Sequence, residues 1–272
     1  MADGAGVVEA VGEGVEEFTE GDVVVSCFVP LWQDGPPADR DFRRVPGDGL
    51  DGYAREVVVR PATWFTRAPA GWSHAEAATI TTAGITAWRA LVVEGELKAG
   101  DVVLTLGTGG VAVYAVQLAA RMGATVIATS SSEEKLERVR AHHTINYRED
   151  PMWGRTVQEI TGGRGADHVI EVGGAGTLPQ SIRAVRIGGH ISLIGVLTGA
   201  SGEVPTALLM VRQARLQGLI VGSRREPQDF VRALETTGLR PVIDRSYGLA
   251  QAADAFRYQE SGQHFGKICL EY

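Results

Sequence analysis

Apolar and polar positions fall into two textures along this chain. From Met1 to about Pro69, valine-rich runs at Gly6 to Val11, Asp22 to Phe28 and Tyr53 to Val59 are separated by glycine turns, a pattern that predicts short β-strands. Between them, Pro30 to Gly52 carries four prolines and many charges without periodicity, which predicts a long surface loop. After His74 the texture changes. Ala75 to Glu94 has helical character, and from Val102 onward apolar runs of strand length alternate with segments of helical period. Strands are expected at 102–107, 124–129, 143–147, 167–172, 190–195 and 216–221, followed by a helix over Pro227 to Thr237 and a closing strand Lys267 to Glu271.

The first of the six strands is nearly all apolar, as a parallel strand covered on both faces must be. The helix after it places Val111, Ala115, Leu118, Ala119 and Met122 on one stripe, with Gly123 positioned to end it. The fold class is therefore α/β: a Rossmann-type, doubly wound parallel sheet preceded by an all-β segment.

Between that strand and helix stands Gly107-Thr108-Gly109-Gly110-Val111-Ala112, a match to G-x-G-x-x-G/A with alanine last. Gly107 permits the tight turn, Gly109 lets backbone approach a pyrophosphate, and Ala112 allows close helix-to-strand packing beside free N–H donors. Glycine turns also join strands to helices for purely structural reasons. Here the strand before, the helix after and the further strands favour a dinucleotide.

NAD sites usually end the second strand with Asp or Glu, about twenty residues beyond the turn, to bind ribose hydroxyls. Here Thr129, Ser130, Ser131 and Ser132 stand in that place, leaving room for a 2′-phosphate that Lys135 can pair with. NADPH is thus the expected cofactor, with NADH possible because Glu133 and Glu134 lie nearby. Ser131 and Glu134 also form a capping-box pattern, and both readings stand together.

Composition narrows the partners. A net charge of −7 excludes a broad nucleic-acid surface, no apolar run reaches a membrane span, and the N-terminus lacks a signal-peptide pattern. A small-molecule substrate and a cytoplasmic location are expected. Cys27 and Cys269 are too few for a disulfide framework or a four-thiolate zinc site and read as buried thiols. His142 and His143 adjoin but cannot both face one ion from a strand.

These residues resemble the medium-chain dehydrogenase/reductase superfamily, in its zinc-free quinone oxidoreductase-like and alcohol dehydrogenase-like branch. The resemblance rests on Asp3 to Gly14, Glu76 to Trp88, the glycine turn, Ile145-Asn-Tyr-Arg148, Gly188 to Gly195 and His264-Phe-Gly-Lys267. It implies a Rossmann domain over 84–221 inserted into a GroES-like β domain formed by 1–83 and 222–272, with homodimers joined near Leu216 to Val221. It also implies roles: Thr86 beside the nicotinamide as the nearest catalytic donor; Ser131, Lys135 and Tyr147 at the adenosine phosphate; Gly173 and Gly195 lining the cofactor; Val221, Gly222 and Ser223 passing the nicotinamide; and Lys267 reaching toward the pyrophosphate. Packing or solvation is the alternative for each.

Zinc-dependent relatives carry Gly-His-Glu where this chain has Met1, Ala2 and Asp3, and a cysteine at or beside Ala83, so no metal is expected. Family members begin with several strands ahead of the segment that here starts at Met1, so an incomplete GroES-like domain is expected. Arg138 to His143 replaces a longer helix end with a glycine cap. The expected activity is hydride transfer between NADPH and a quinone, enone or carbonyl/alcohol substrate without zinc. The alternative is a non-catalytic NADPH-binding protein or inactive fragment.

Overall fold

The computed structural model describes every residue from Met1 to Tyr272. The chain divides into two compact units, one formed by Met1–Ile85 with Val221–Tyr272 and the other by Thr86–Ile220. The chain therefore crosses at 85/86 and 220/221, against the 83/84 and 221/222 expected.

In the first unit, β1 (Ala5–Val7), β2 (Val23–Ser26) and β5 (Phe65–Arg67) form an antiparallel sheet in the order β1-β2-β5. A two-stranded ladder of β3 (Val45–Pro46) and β4 (Gly49–Leu50) interrupts the expected loop, where Val29, Trp32 and Val45 bury a small apolar cluster. The strand expected at Tyr53–Val59 is absent. Val57 and Val59 are 58% and 87% exposed, and β5 takes the place beside β2 instead. Those valines have β propensity but no neighbouring strand to bury them, and propensity alone does not hold a strand.

The helical segment starts with α1 (His74–Ala78), where Ser73 Oγ accepts from Glu76 N at 3.2 Å and Glu76 Oε2 accepts from Ser73 N at 2.9 Å. It then widens into π-helical turns at Ile80–Gly84 and Arg89–Val93 on either side of α2 (Ile85–Trp88), rather than running as a plain α-helix.

The second unit carries β6 (Val102–Leu106), α3 (Gly110–Arg121), β7 (Thr125–Ser130), α4 (Glu133–Arg138), β8 (His143–Asn146), α5 (Trp153–Ile160), β9 (Ala166–Glu171), α6 (Leu178–Ala184), β10 (Val185–Leu193), α7 (Thr206–Arg212) and β11 (Arg215–Gly218). The strands form one parallel sheet in the order β11-β10-β9-β6-β7-β8. This is the doubly wound order, and it reverses beside β6. Leu104, Leu106, Ile127, Ile145 and Val169 bury one face against Trp153, Val157, Leu178 and Ile182. Alternation sends Val103 and Thr105, both fully buried, to the other face. Each buried Leu, Ile or Val side chain of this sheet contributes about 1.5–3 kcal/mol.

Two differences from the expected strands have local causes. β10 starts at Val185, earlier than expected, and shifts register between Val185 and His190. β11 stops at Gly218, short of the expected 221, and Val221 turns to φ +41°. Helix α3 buries five consecutive residues, Ala112 to Val116, so it is more enclosed than a single stripe implies.

The chain closes in the first unit with α8 (Arg225–Thr237), β12 (Ile243–Gly248), α9 (Ala252–Glu260) and β13 (Lys267–Glu271), where β12 and β13 pair in parallel. No helix is long and apolar enough to cross a membrane.

Candidate functional site

The turn after β6 is built by backbone conformation. Gly107 sits at φ +75°, open to glycine and strained for other residues, and its N–H donates to Thr129 O at 2.8 Å. Thr108 is buried, and Gly109 is the N-cap of α3 with extended backbone, its carbonyl accepting from Val113 N at 3.0 Å. The N–H groups of Gly110, Val111 and Ala112 therefore open the helix without intrahelical acceptors, at its positive end. Gly109 has an ordinary φ of −78°, and a Cβ built there meets no atom within 4 Å. Neither backbone strain nor a protein neighbour requires glycine at this position. The open space above it fits a group that must come close to the backbone.

At the end of β7, Ser130 is buried and its Oγ accepts from Ser132 N at 3.2 Å. The expected Ser131–Glu134 cap is not formed. Ser132 is the N-cap instead, accepting from Lys135 N at 3.4 Å, because the strand runs one residue further than expected and delays the helix. This leaves Ser131 between the strand end and the cap. Tyr147 N donates to Ser130 O at 3.1 Å, which brings Tyr147, Ser130 and the start of α4 together; the Tyr147 ring is exposed. Asn146 donates to Glu133 Oε1 at 2.6 Å and to Glu149 Oε1 at 3.3 Å, so the first acidic residue of α4 is held toward β8.

On the other side of β6, Gly173 and Gly195 are glycines for reasons of packing. A Cβ on Gly173 would stand 2.2 Å from Thr177 Oγ1, and one on Gly195 would stand 2.3 Å from Val172 O. The two loops are tied together: Gly173 O accepts from Thr198 N at 2.7 Å and from Thr198 Oγ1 at 2.9 Å. Beneath them lies Glu171, fully buried, whose Oε1 accepts from Gly173 N at 2.7 Å, Gly174 N at 3.0 Å and Thr177 Oγ1 at 2.6 Å, while Oε2 accepts from Ser181 Oγ. Sequence reasoning missed this carboxylate; its signal was a strand-end Glu followed by paired glycines and hydroxyls at i+6 and i+10. Thr86, expected beside the nicotinamide, is 2% exposed as a residue.

In the first unit, Val221 holds its left-handed backbone while buried, an outlier for a β-branched residue. Gly222 has no room for a Cβ, which would lie 2.4 Å from Glu226 Oε2, and Ser223 N donates to that same oxygen. Lys267 Nζ lies 3.2 Å from Asp3 Oδ2, and Thr82 Oγ1 donates to Asp3 Oδ1. Lys267 is thus engaged locally by a carboxylate. Burial pushes the Cys27 thiol up to about 12 and Cys269 to about 11, so both are protonated packing groups.

Comparison with known proteins gives the lineage. A zinc-type alcohol dehydrogenase-like protein of Schizosaccharomyces pombe is 41% identical over 280 residues, covering 99% of this chain and 81% of that protein. The chain belongs to the medium-chain dehydrogenase/reductase superfamily. The family model described as zinc-binding dehydrogenase matches residues 110–237. A crystal structure of an NAD-dependent alcohol dehydrogenase superposes with a TM-score of 0.89 at 36% identity, covering 100% of this chain and 82% of that one. The 2-octenoyl-CoA carboxylase reductase CinF, in complex with NADP and 2-octenoyl-CoA, superposes with a TM-score of 0.87 at 27% identity, covering 99% and 67%. The α/β architecture is accordingly the Rossmann and GroES-like pairing of this superfamily.

Within a medium-chain dehydrogenase/reductase of zinc-binding description, the donor set decides whether zinc fits. The corresponding positions hold Ala2, which offers no side-chain ligand, and the buried methyl of Ala83. The one carboxylate there, Asp3, already serves the Lys267 ammonium and the Thr82 hydroxyl. No three His, Cys, Asp or Glu side chains converge as a metal-holding group. These residues do not fit zinc.

Proposed function

We propose that this chain is an NAD(P)H-dependent oxidoreductase that carries hydride between NADPH and a quinone, enone or carbonyl/alcohol substrate without zinc. The observation that carries the reading is Gly109, a glycine that its own fold does not need, standing open at the N-terminus of a twelve-residue helix. The N–H groups of Gly110 and Val111 hold the pyrophosphate there, where the helix end favours negative charge. Ser130, Ser131, Lys135 and Tyr147 hold the 2′-phosphorylated ribose over the end of β7, and Glu133, drawn away toward Asn146, leaves that place to an anion. When bound, the reduced nicotinamide supplies the hydride. The substrate takes its proton from water, with the Thr86 hydroxyl as the nearest donor to the charge that develops on its oxygen. The same reading sets the protein in the cytoplasm, where its buried thiols stay reduced, and as a homodimer joined along β11.

The test is NADPH oxidation against quinones, enones and aldehydes, with binding measured separately by calorimetry. Turnover with at least one class is expected. Micromolar binding without turnover replaces the enzyme by a non-catalytic NADPH-binding protein. Gly109→Ala, whose added Cβ meets no protein atom, is expected to weaken NADPH at least about tenfold while the melting temperature falls by no more than about 4 °C, the N-cap preference for glycine over alanine being about 1 kcal/mol. Equal affinity in the variant removes the pyrophosphate assignment.

A further inference from the structure

We propose that Glu171 is a positioning residue for the nicotinamide half of the cofactor, an inference that rests on the dinucleotide reading above. Glu171 ends β9, next to β6 and across from the adenosine side at β7. A dinucleotide laid over the reversal point of such a sheet has its pyrophosphate at the glycine turn and its adenosine over the second strand. Its other half then falls over the ends of β9 and β10, where the loops 172–177 and 194–199 lie.

Those loops carry few apolar anchors. Val172 is only partly buried, Val196 and Leu197 are exposed, and three of the residues from 173 to 176 are glycine. A glycine-rich loop loses much entropy when ordered, and something must hold it. Four donors converge on one buried carboxylate: the N–H groups of Gly173 and Gly174 and the hydroxyls of Thr177 and Ser181. Charge-assisted bonds of this kind are about twice as strong as neutral ones. Thr198 then passes the constraint on, bonding Gly173 O and accepting from Gly176 N at 2.9 Å, while Ala175 N donates to Gly199 O. One side chain thereby fixes the backbone of both loops, and its loss frees the nicotinamide wall while leaving the glycine turn and the β7 end in place.

The experiment compares two ligands by calorimetry: NADPH, which spans both halves, and 2′,5′-ADP, which occupies only the adenosine half. Glu171→Gln keeps the shape, removes the charge and turns a donor toward the cluster. It is expected to weaken NADPH about tenfold and leave 2′,5′-ADP within about twofold of wild type. Thr177→Val, which removes one donor to the carboxylate, and Thr198→Val, which removes the two Oγ1 links between the loops, are expected to shift NADPH in the same direction by less, and they decide the matter if the Gln variant does not fold. NADPH affinity unchanged in the folded variants overturns the proposal, as does an equal loss for both ligands, which marks general damage. Wild-type protein that binds neither ligand overturns the cofactor reading itself, and that arm is read before any variant is made.

Discussion

At the residue scale, the room left for a Cβ separates glycines that the fold requires from one that it does not. Gly173, Gly195 and Gly222 are fixed by atoms closer than 3 Å to a Cβ, whereas Gly109 is not. Arg140 shows the reverse case: an exposed arginine at φ +53°, just past α4. A left-handed arginine costs about 1–2 kcal/mol, partly offset by the greater freedom glycine has when unfolded. Arg140→Gly is therefore expected to stabilise the protein by about 0.5–1 kcal/mol in urea unfolding; a lower midpoint would contradict this account of the helix end. Lys135 carries a different prediction. Lys135→Ala is expected to weaken NADPH about tenfold more than NADH in parallel titrations, since only the former brings a phosphate for the ammonium to pair with. Equal losses for the two cofactors remove Lys135 from the 2′-phosphate.

At the scale of elements, the sheet carries a buried polar row. His168 on β9, His190 on β10 and Arg215 on β11 occupy one register. His168 Nε2 lies 3.0 Å from Asp101 Oδ2, and His190 Nδ1 lies 3.0 Å from Arg215 Nη2. A guanidinium only donates, so Nδ1 accepts and the His190 proton rests on Nε2. Burial, then Arg215 and then His168, lower the His190 pKa to about 4. The unfolded chain binds that proton near 6.5 and the folded chain does not, so this contribution is complete above pH 6.5 and is lost as pH falls toward 4. The loss between pH 7 and pH 5 is about 2 kcal/mol. His190→Gln, whose amide oxygen still accepts from Arg215, is expected to flatten the fall in urea midpoint over that interval, and parallel pH profiles would show that other groups govern it.

At the scale of the whole molecule, β11 is the outer strand of the six, paired only to β10. An open parallel edge presents unpaired backbone groups, which proteins cover or pair. In the chain flanking it, Met210, Val211 and Ile220 are 71%, 63% and 56% exposed. A second copy meeting this edge about a two-fold axis covers both features. Sedimentation at tens of micromolar is expected to show a dimer that Met210→Glu with Val211→Glu converts to monomer, with the melting temperature of the subunit little changed because both side chains are already exposed. A wild-type monomer under those conditions would remove the edge from consideration.

The sequence by itself determined the parallel sheet, the glycine turn and the serines that follow β7. These are local: a buried strand must be apolar, a tight turn must be glycine, and a helix start offers its own N–H groups wherever it stands. It did not determine which valine run would find a partner, so Tyr53–Val59 read as a strand and Phe65–Arg67 became one. It placed the cap one residue early, because the end of β7 is set by its pairing with β8. Nor did it show Glu171, whose meaning exists only once four donors from positions 173 to 181 converge on it. Lys267 and Asp3 stand 264 residues apart in the chain and 3.2 Å apart in the fold. Residue type and short-range periodicity are written in the chain, whereas the partner of a buried charge is decided by packing at long sequence separation.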